Sequence, residues 1–222
     1  MPVQASLVAR HASLAPRLGA RRDDTARGQR ARLLAAMAEV VADKGFAAAT
    51  VADVVRAAGV SRTTFYEQFR SKEDCFVEAY RHGVDVLIDE VRAAVRATGG
   101  GWRAQLRAGM RAYLETLAAD RRFARTYLLE IHAAGEAALD ARAGALRRFA
   151  ERYRATFEQA RAGDPELREP HPDSLLVLCS GTEQLVAECL RRGGDDAALL
   201  SLEDVFCQCA EAVLTHRPTD QE

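Results

Sequence analysis

The sequence predicts an all-α protein, and three observations carry that prediction. Alanine and arginine dominate the helix formers, apolar residues recur at helical spacing, and glycine and proline gather at a few breaks. The composition, 48% hydrophobic and 28% charged over 222 residues, is that of a globular chain long enough for a sizeable core. About nine helices are expected: a three-helix N-terminal module containing a helix-turn-helix, then a C-terminal helical bundle. The expected boundaries are a flexible arm at 1–24, the helix-turn-helix domain at 25–72, and the bundle at 73–222.

The first helix should run from about Thr25 to Lys44, with Leu33, Leu34, Met37, Val40 and Val41 on its apolar face. Gly45 is a natural stop, and Phe46 plugs the small core beneath it. "TVAD" from Thr50 to Asp53 reads as a capping box opening a short helix that Gly59 ends. Ser61 caps a third helix from Arg62, with Val60 and Phe65 placed as a hydrophobic staple. "SKED" (Ser71 to Asp74) is another capping box, opening a long helix with Phe76, Tyr80, Val84, Leu87, Ile88 and Val91 on one face.

Beyond the break "TGGG", Leu106, Met110, Tyr113, Leu114 and Leu117 mark a helix over about 102–118. A polar "ADRR" leads into "FARTYLLEIHAA", and Gly135 punctuates it. An arginine-rich helix over about 137–162 carries Leu139, Leu146, Phe149, Tyr153 and Phe157. The last two helices, 173–192 and 199–215, are apolar on more than one face, and "SLED" reads as a capping box for the second. A helix apolar on two sides needs partners on two sides, so a second subunit is expected there. Leu178, Leu185, Val186, Cys189, Val205, Phe206, Cys209 and Val213 are the candidate dimer interface.

No run of 18 or more apolar residues exists, so no transmembrane helix and no membrane partner is expected. The first 24 residues lack a continuous apolar stretch and a clear cleavage site, which argues against a secretory signal. The five cysteines are odd in number and fall within helical segments, consistent with reduced thiols in a cytoplasmic protein. Charge is polarised: residues 1–72 hold 12 Lys and Arg against 6 Asp and Glu, whereas the remainder holds 19 against 26. Such a basic N-terminal module suits a polyanion.

In "AGVSRTTFYEQFRSKED", Phe65, Phe69 and Val60 read as core, but the polar groups crowding one short helix have no stability rationale. As a recognition helix it would place Arg62 against guanine, and Thr63 and Thr64 against base edges. Tyr66 and Lys72 would reach phosphates, as would the helix starts at Thr50 and Ser71.

"TVADVVRAAGVSRTTFYEQFRSKEDCF" resembles the DNA-binding domain of the tetracycline-repressor (TetR) family of bacterial transcriptional regulators. The pattern covers residues 50–73 nearly throughout, with caps, glycine turn, aromatic pair and exit lysine at fixed offsets. The resemblance implies a homodimer on double-stranded, pseudo-palindromic operator DNA, acting as a repressor that a small-molecule effector releases. It maps DNA contact onto Thr50, Ser61, Arg62, Thr63, Thr64, Tyr66, Gln68 and Lys72. Val55, Thr63 and Gln68 depart from the usual residues, so the operator sequence is not borrowed from relatives.

The resemblance puts an effector pocket among the C-terminal helices, with candidates Trp102, Met110, Tyr113, Phe123, Tyr127, Ile131, His132, Phe149, Tyr153, Phe157 and Glu183. Such a lining favours a hydrophobic or amphipathic molecule. No nucleotide-cradling loop, paired-histidine zinc motif or serine elbow is present, so no enzyme, cofactor or metal is expected. Two alternatives stay open: a redox sensor using Cys189 or Cys209, and a dimeric DNA-binding protein without an effector. Arg17, Arg21 and Arg22 in the arm either add DNA contacts or belong to a dispensable tail.

Overall fold

The computed structural model describes residues 23–216, and every regular element among them is helical, as expected. In chain order these are α1 (Asp23–Lys44), α2 (Val51–Ala58), α3 (Arg62–Gln68), α4 (Lys72–Ala97), α5 (Trp102–Ala119), α6 (Arg121–Leu128), a 3-10 turn (Glu130–Ala133), α7 (Glu136–Gly163), α8 (Pro172–Arg191), α9 (Asp196–Leu200) and α10 (Glu203–Leu214). The chain divides into two compact units, 23–86 with Asp120–Arg142 and Leu87–Ala119 with 143–216. The reading of Arg17, Arg21 and Arg22 lies outside the described residues.

Two local readings are corrected. The Asp120 carboxylate accepts the Phe123 amide at 2.9 Å, so α6 starts ahead of "FARTYLLEIHAA" and then tightens into the 3-10 turn at Glu130. "SLED" forms no capping box: the Ser201 hydroxyl donates back to the Ala198 carbonyl at 2.8 Å. The side chain that caps is Asp195, which opens the short α9 at the Ala198 amide, 2.8 Å away. Glu203, just past α9, turns inward.

The first unit has its core where α1, α2, α3 and the start of α4 present Leu33, Met37, Val54, Phe65, Phe69 and Phe76, all essentially buried. Phe46 does plug this core, its ring 4.9 Å from that of Phe76. Arg30 ties three elements at once. Its guanidinium pairs with Glu78, donates to the Gln68 carbonyl at 2.7 Å, and lies 4.4 Å over the Phe69 ring. Farther along, Tyr80, Tyr127 and Phe123 form a stacked series with centroids 5.1 and 5.7 Å apart. Phe123 fits because residue 83 is glycine, since any Cβ there would collide with its ring.

The second unit packs Leu114 and Leu117 of α5 with Phe157 of α7, Val186 and Leu190 of α8, and Phe206 and Leu214 of α10. Its buried carboxylate, Glu203, sits between Arg107 at 2.9 Å and Arg111 at 2.8 Å. Burying a carboxylate is costly unless it is paired, and α5 supplies both cations.

Candidate nucleic-acid interface

The geometry begins with the caps. The Thr50 hydroxyl accepts the Asp53 amide and the Asp53 carboxylate accepts the Thr50 amide, both at 3.2 Å, completing the "TVAD" box. Lys44, 2.7 Å away, and then Thr50 hold the Asp53 carboxyl well below the usual carboxylate range. Gly59 closes α2 at φ 63°, a left-handed conformation that a side chain would strain. The Ser61 hydroxyl accepts the Thr64 amide at 3.0 Å and so starts α3.

Those caps fix the rotation of α3 about its axis. With Phe65 fully buried and Phe69 nearly so, Arg62, Thr63 and Tyr66 point outward. Tyr66 is 52% exposed, its ring braced edge-on against Phe65 at 5.3 Å. The Arg62 guanidinium makes no hydrogen bond or ion pair among the described residues. The result is a short, preordered helix offering a guanidinium, a hydroxyl with a methyl, and a phenol to one partner. Those groups suit base edges and phosphates.

Other candidates are placed differently. Thr50 and Ser61 are exposed but act as caps, and Thr64 shares its hydroxyl with Ser61 at 2.9 Å. Gln68 is half-buried, with its carbonyl held by Arg30. Lys72 is tied to its own backbone: its ammonium donates to the carbonyls of Phe46 at 2.9 Å and Ala49 at 3.0 Å, and lies 4.1 Å over the Phe46 ring. Two of its three N–H donors are thereby committed to the turn between α1 and α2. The sequence reading overlooked Arg70, whose side chain is 92% exposed at the exit of α3. A basic residue directly before the "SKED" cap was the available signal.

The effector candidates fall in both units. In the first, Phe123, Tyr127 and Ile131 are buried, whereas His132 is exposed on the 3-10 turn. Thr126, which the sequence reading passed over, buries a hydroxyl that has no hydrogen-bond partner among the described residues. In the second unit, Met110, Tyr113, Tyr153, Phe157 and Glu183 are buried, and Trp102 and Phe149 half-buried. The Tyr153 hydroxyl approaches the Met110 sulfur at 3.9 Å, and Tyr113 meets Phe149 edge-on at 5.9 Å. Burial pushes the Tyr153 phenol above its ordinary pKa.

The dimer candidates also divide. Leu178, Val186 and Phe206 are buried within the second unit, so their side chains cannot form the outer face of an interface. Leu185, Val205 and Cys209 are exposed, and Cys189 and Val213 half-buried. The sequence reading missed Val177, at 71% exposure the most open large apolar side chain of the described residues. Val177, Gly181 and Leu185 form one row on α8, and Val205 and Cys209 lie four apart on α10. Burial pushes the Cys179 thiol up to about 12, which removes it as a reactive sulfur. Among the described residues no group of three or more His, Cys, Asp or Glu could hold a metal, and no helix is long and apolar enough to cross a membrane.

Residues 33–79 match the family model described as bacterial regulatory proteins, tetR family. A curated relative, the HTH-type transcriptional activator FasR of Mycolicibacterium smegmatis, is 35% identical over 92 residues, 41% of this chain and 42% of that protein. The HTH-type transcriptional regulator AlkX of Mycobacterium tuberculosis is 33% identical over 88 residues, 40% of this chain and again 42% of the relative. The chain thus spans less than half the length of these relatives. Among solved structures, the fatty acid degradation regulator FadR from Bacillus halodurans aligns with a TM-score of 0.69 at 20% identity, covering 85% of this chain and 97% of that one. FadR from Bacillus subtilis, solved with stearoyl-CoA, gives 0.69 at 16% identity over 81% of this chain and 96% of that one. At such identities these two establish a shared fold.

Proposed function

We propose that this chain, whose residues 33–79 match the tetR-family model, is a homodimeric transcriptional regulator of double-stranded DNA, released from its operator by an apolar-tailed effector. The observation that carries the reading is α3 itself: Arg62, Thr63 and Tyr66 turn outward while Phe65 and Phe69 lock the helix from beneath. In this reading residues 25–72 bind DNA and 73–222 sense and dimerise. The operator is a pseudo-palindrome with half-sites roughly 34–36 Å apart or a multiple of it. The exposed side chains of Val177 and Leu185 on α8 and of Val205 on α10 support dimerisation through those two helices.

The effector is a long-chain acyl compound, and release makes the regulator a repressor. Support comes from the buried aromatic groups of each unit, from the orphaned Thr126 hydroxyl, and from the stearoyl-CoA named with the Bacillus subtilis structure. The test is selection of duplexes from random DNA, followed by fluorescence anisotropy on the selected site. A palindromic site and its release by stearoyl-CoA, but not by acetyl-CoA, is the expected result. A selected site that stays bound at saturating stearoyl-CoA removes the effector part of the reading, and failure to select any duplex removes all of it.

A further inference from the structure

Glu130 reaches 84 residues back along the chain, where its Oε2 accepts the Phe46 amide at 2.8 Å. It opens the 3-10 turn, within the segment Asp120–Arg142 that belongs to the first unit although it follows α5 in sequence. That segment lies outside residues 33–79, the part matched by the family model. Arg122, near its start, also grips α1, donating to the Glu39 carbonyl at 3.3 Å and the Asp43 carboxylate at 2.6 Å. With α6 packed on α1, the end of α1 and the turn after it are held at two points.

Residue 46 is the focus of these contacts. Glu130 holds its N–H, Lys72 holds its carbonyl at 2.9 Å, and its buried ring lies against Phe76. Gly45 leaves room for the approach, since a Cβ there would stand 3.2 Å from the Glu130 oxygen. General electrostatics would not place a carboxylate here. α1 ends at Lys44, and the C-terminal end of a helix disfavours negative charge. What offsets that cost is the bond itself: an ionised acceptor strengthens a bond to a backbone N–H, and an unmet N–H beside a buried ring is expensive.

We infer that Glu130 is a positioning residue for operator recognition, which acts by fixing the Phe46 peptide and so the turn from which α2 and α3 are aimed. The turn ends at Thr50, the cap of α2, and α2 leads through Gly59 to Ser61, the cap of α3. α1 packs on both helices, so a shift in the turn passes to Arg62, Thr63 and Tyr66. Glu130 itself needs no contact with DNA. The sign of its effect separates this role from plain electrostatics. Removing a carboxylate from a DNA-binding unit should strengthen its hold on a polyanion, whereas removing a positioning group should weaken the specific complex. The inference rests on the reading that α3 meets DNA and needs no effector.

The test uses the full chain with two duplexes of equal length, one selected from random DNA and one scrambled, well below every variant's thermal midpoint. Glu130→Ala should lower the ratio of specific to non-specific affinity about tenfold, with non-specific affinity undiminished. Glu130→Gln keeps an oxygen acceptor without the charge and should stay within about threefold of the parent. Glu130→Asp keeps the charge but is too short to reach, so it should behave as Glu130→Ala and carries the test if that variant does not fold. In both short variants the Phe46 amide proton should move upfield in NMR as its bond is lost. A parental ratio in Glu130→Asp overturns the proposal, even with a lower thermal midpoint, because Glu130 would then serve stability alone. An equal loss in Glu130→Gln also overturns it, by making the charge the cause. So does tighter binding of both duplexes by Glu130→Ala, which is the mark of simple repulsion. A parent that selects no duplex removes the DNA-binding reading beneath the inference, an outcome distinct from a parent that binds while its variants match it.

Discussion

The helix-turn-helix of the first unit and the α8/α10 pair of the second are equally well satisfied inside and differ in what they leave outside. In the first, Phe65 and Phe69 are sealed, Arg30 and Lys72 are tied to their own chain, and the exposed remainder is polar: Arg62, Thr63, Tyr66. In the second, Val186 and Phe206 are sealed, Glu203 is held by two arginines, and the exposed remainder is apolar: Val177, Leu185, Val205. The difference teaches how to read a surface. A helix that settles its inner accounts and still exposes guanidinium and hydroxyl awaits a hydrated polyanion, while one that exposes valine and leucine awaits another apolar face.

The harshest way to break this comparison is to give the apolar face the character of the polar one. Leu185→Asp, at a position 45% exposed, should leave the monomer folded but halve its mass in light scattering. Affinity for a two-half-site operator should fall about a hundredfold, because paired binding is lost. Dimers of unchanged mass would show that α8 is not the contact.

Next in size is a contrast between two cations that the sequence treats alike. Lys72→Met keeps the stem and removes two hydrogen bonds to the α1–α2 turn, and should cost about 2 kcal/mol by thermal denaturation. Arg62→Met should leave stability within about 0.5 kcal/mol yet relax base preference at one position by about 1–3 kcal/mol. Equal melting temperatures for both variants would mean that Lys72 is available to DNA after all.

That contrast marks where the sequence was legible. Caps and turns rest on contacts between near neighbours, so "TVAD", Gly59 and Ser61 could be read directly. Lys72 could not, because its partners Phe46 and Ala49 lie more than twenty residues upstream. The same holds for α8, where helical period alone does not say which of two apolar stripes faces inward: Val186 is sealed, Val177 open. Nor does the sequence show that His132 is exposed, because a 3-10 turn rotates its side chains away from the α-helical period.

A milder perturbation tests the inner accounts of the second unit. Glu203→Gln keeps the volume and removes the charge that Arg107 and Arg111 share. Because both arginines are about half-exposed, water offsets much of the loss, and a drop of about 1–2 kcal/mol in unfolding free energy is expected. The exposed Val177, Leu185 and Val205 are untouched, so the proposed dimer should persist by light scattering. Dissociation with unchanged stability would mean that Glu203 serves the interface and not the core.

The smallest effect sharpens the other side of the comparison, the rule that cations tied to the chain are withheld from DNA. Asp53 engages Lys44 at 2.7 Å and also pairs with Arg56. With Lys44 and then Thr50 as its main supports, its carboxyl is held below its ordinary value of 3.8. A depressed carboxylate contributes stability that is fully present above its unfolded pKa and is lost as pH falls through the folded one. The α2 cap should therefore loosen only in strong acid, with the Asp53 carboxyl carbon titrating below the ordinary aspartate value in NMR. Asp53→Asn, measured at neutral pH, releases Lys44 and Arg56 without acid. If the rule holds, the released cations should raise non-specific duplex affinity and steepen its salt dependence, while the thermal midpoint falls slightly. An unchanged salt slope would show that Lys44 and Arg56 point away from the nucleic acid whether or not Asp53 holds them.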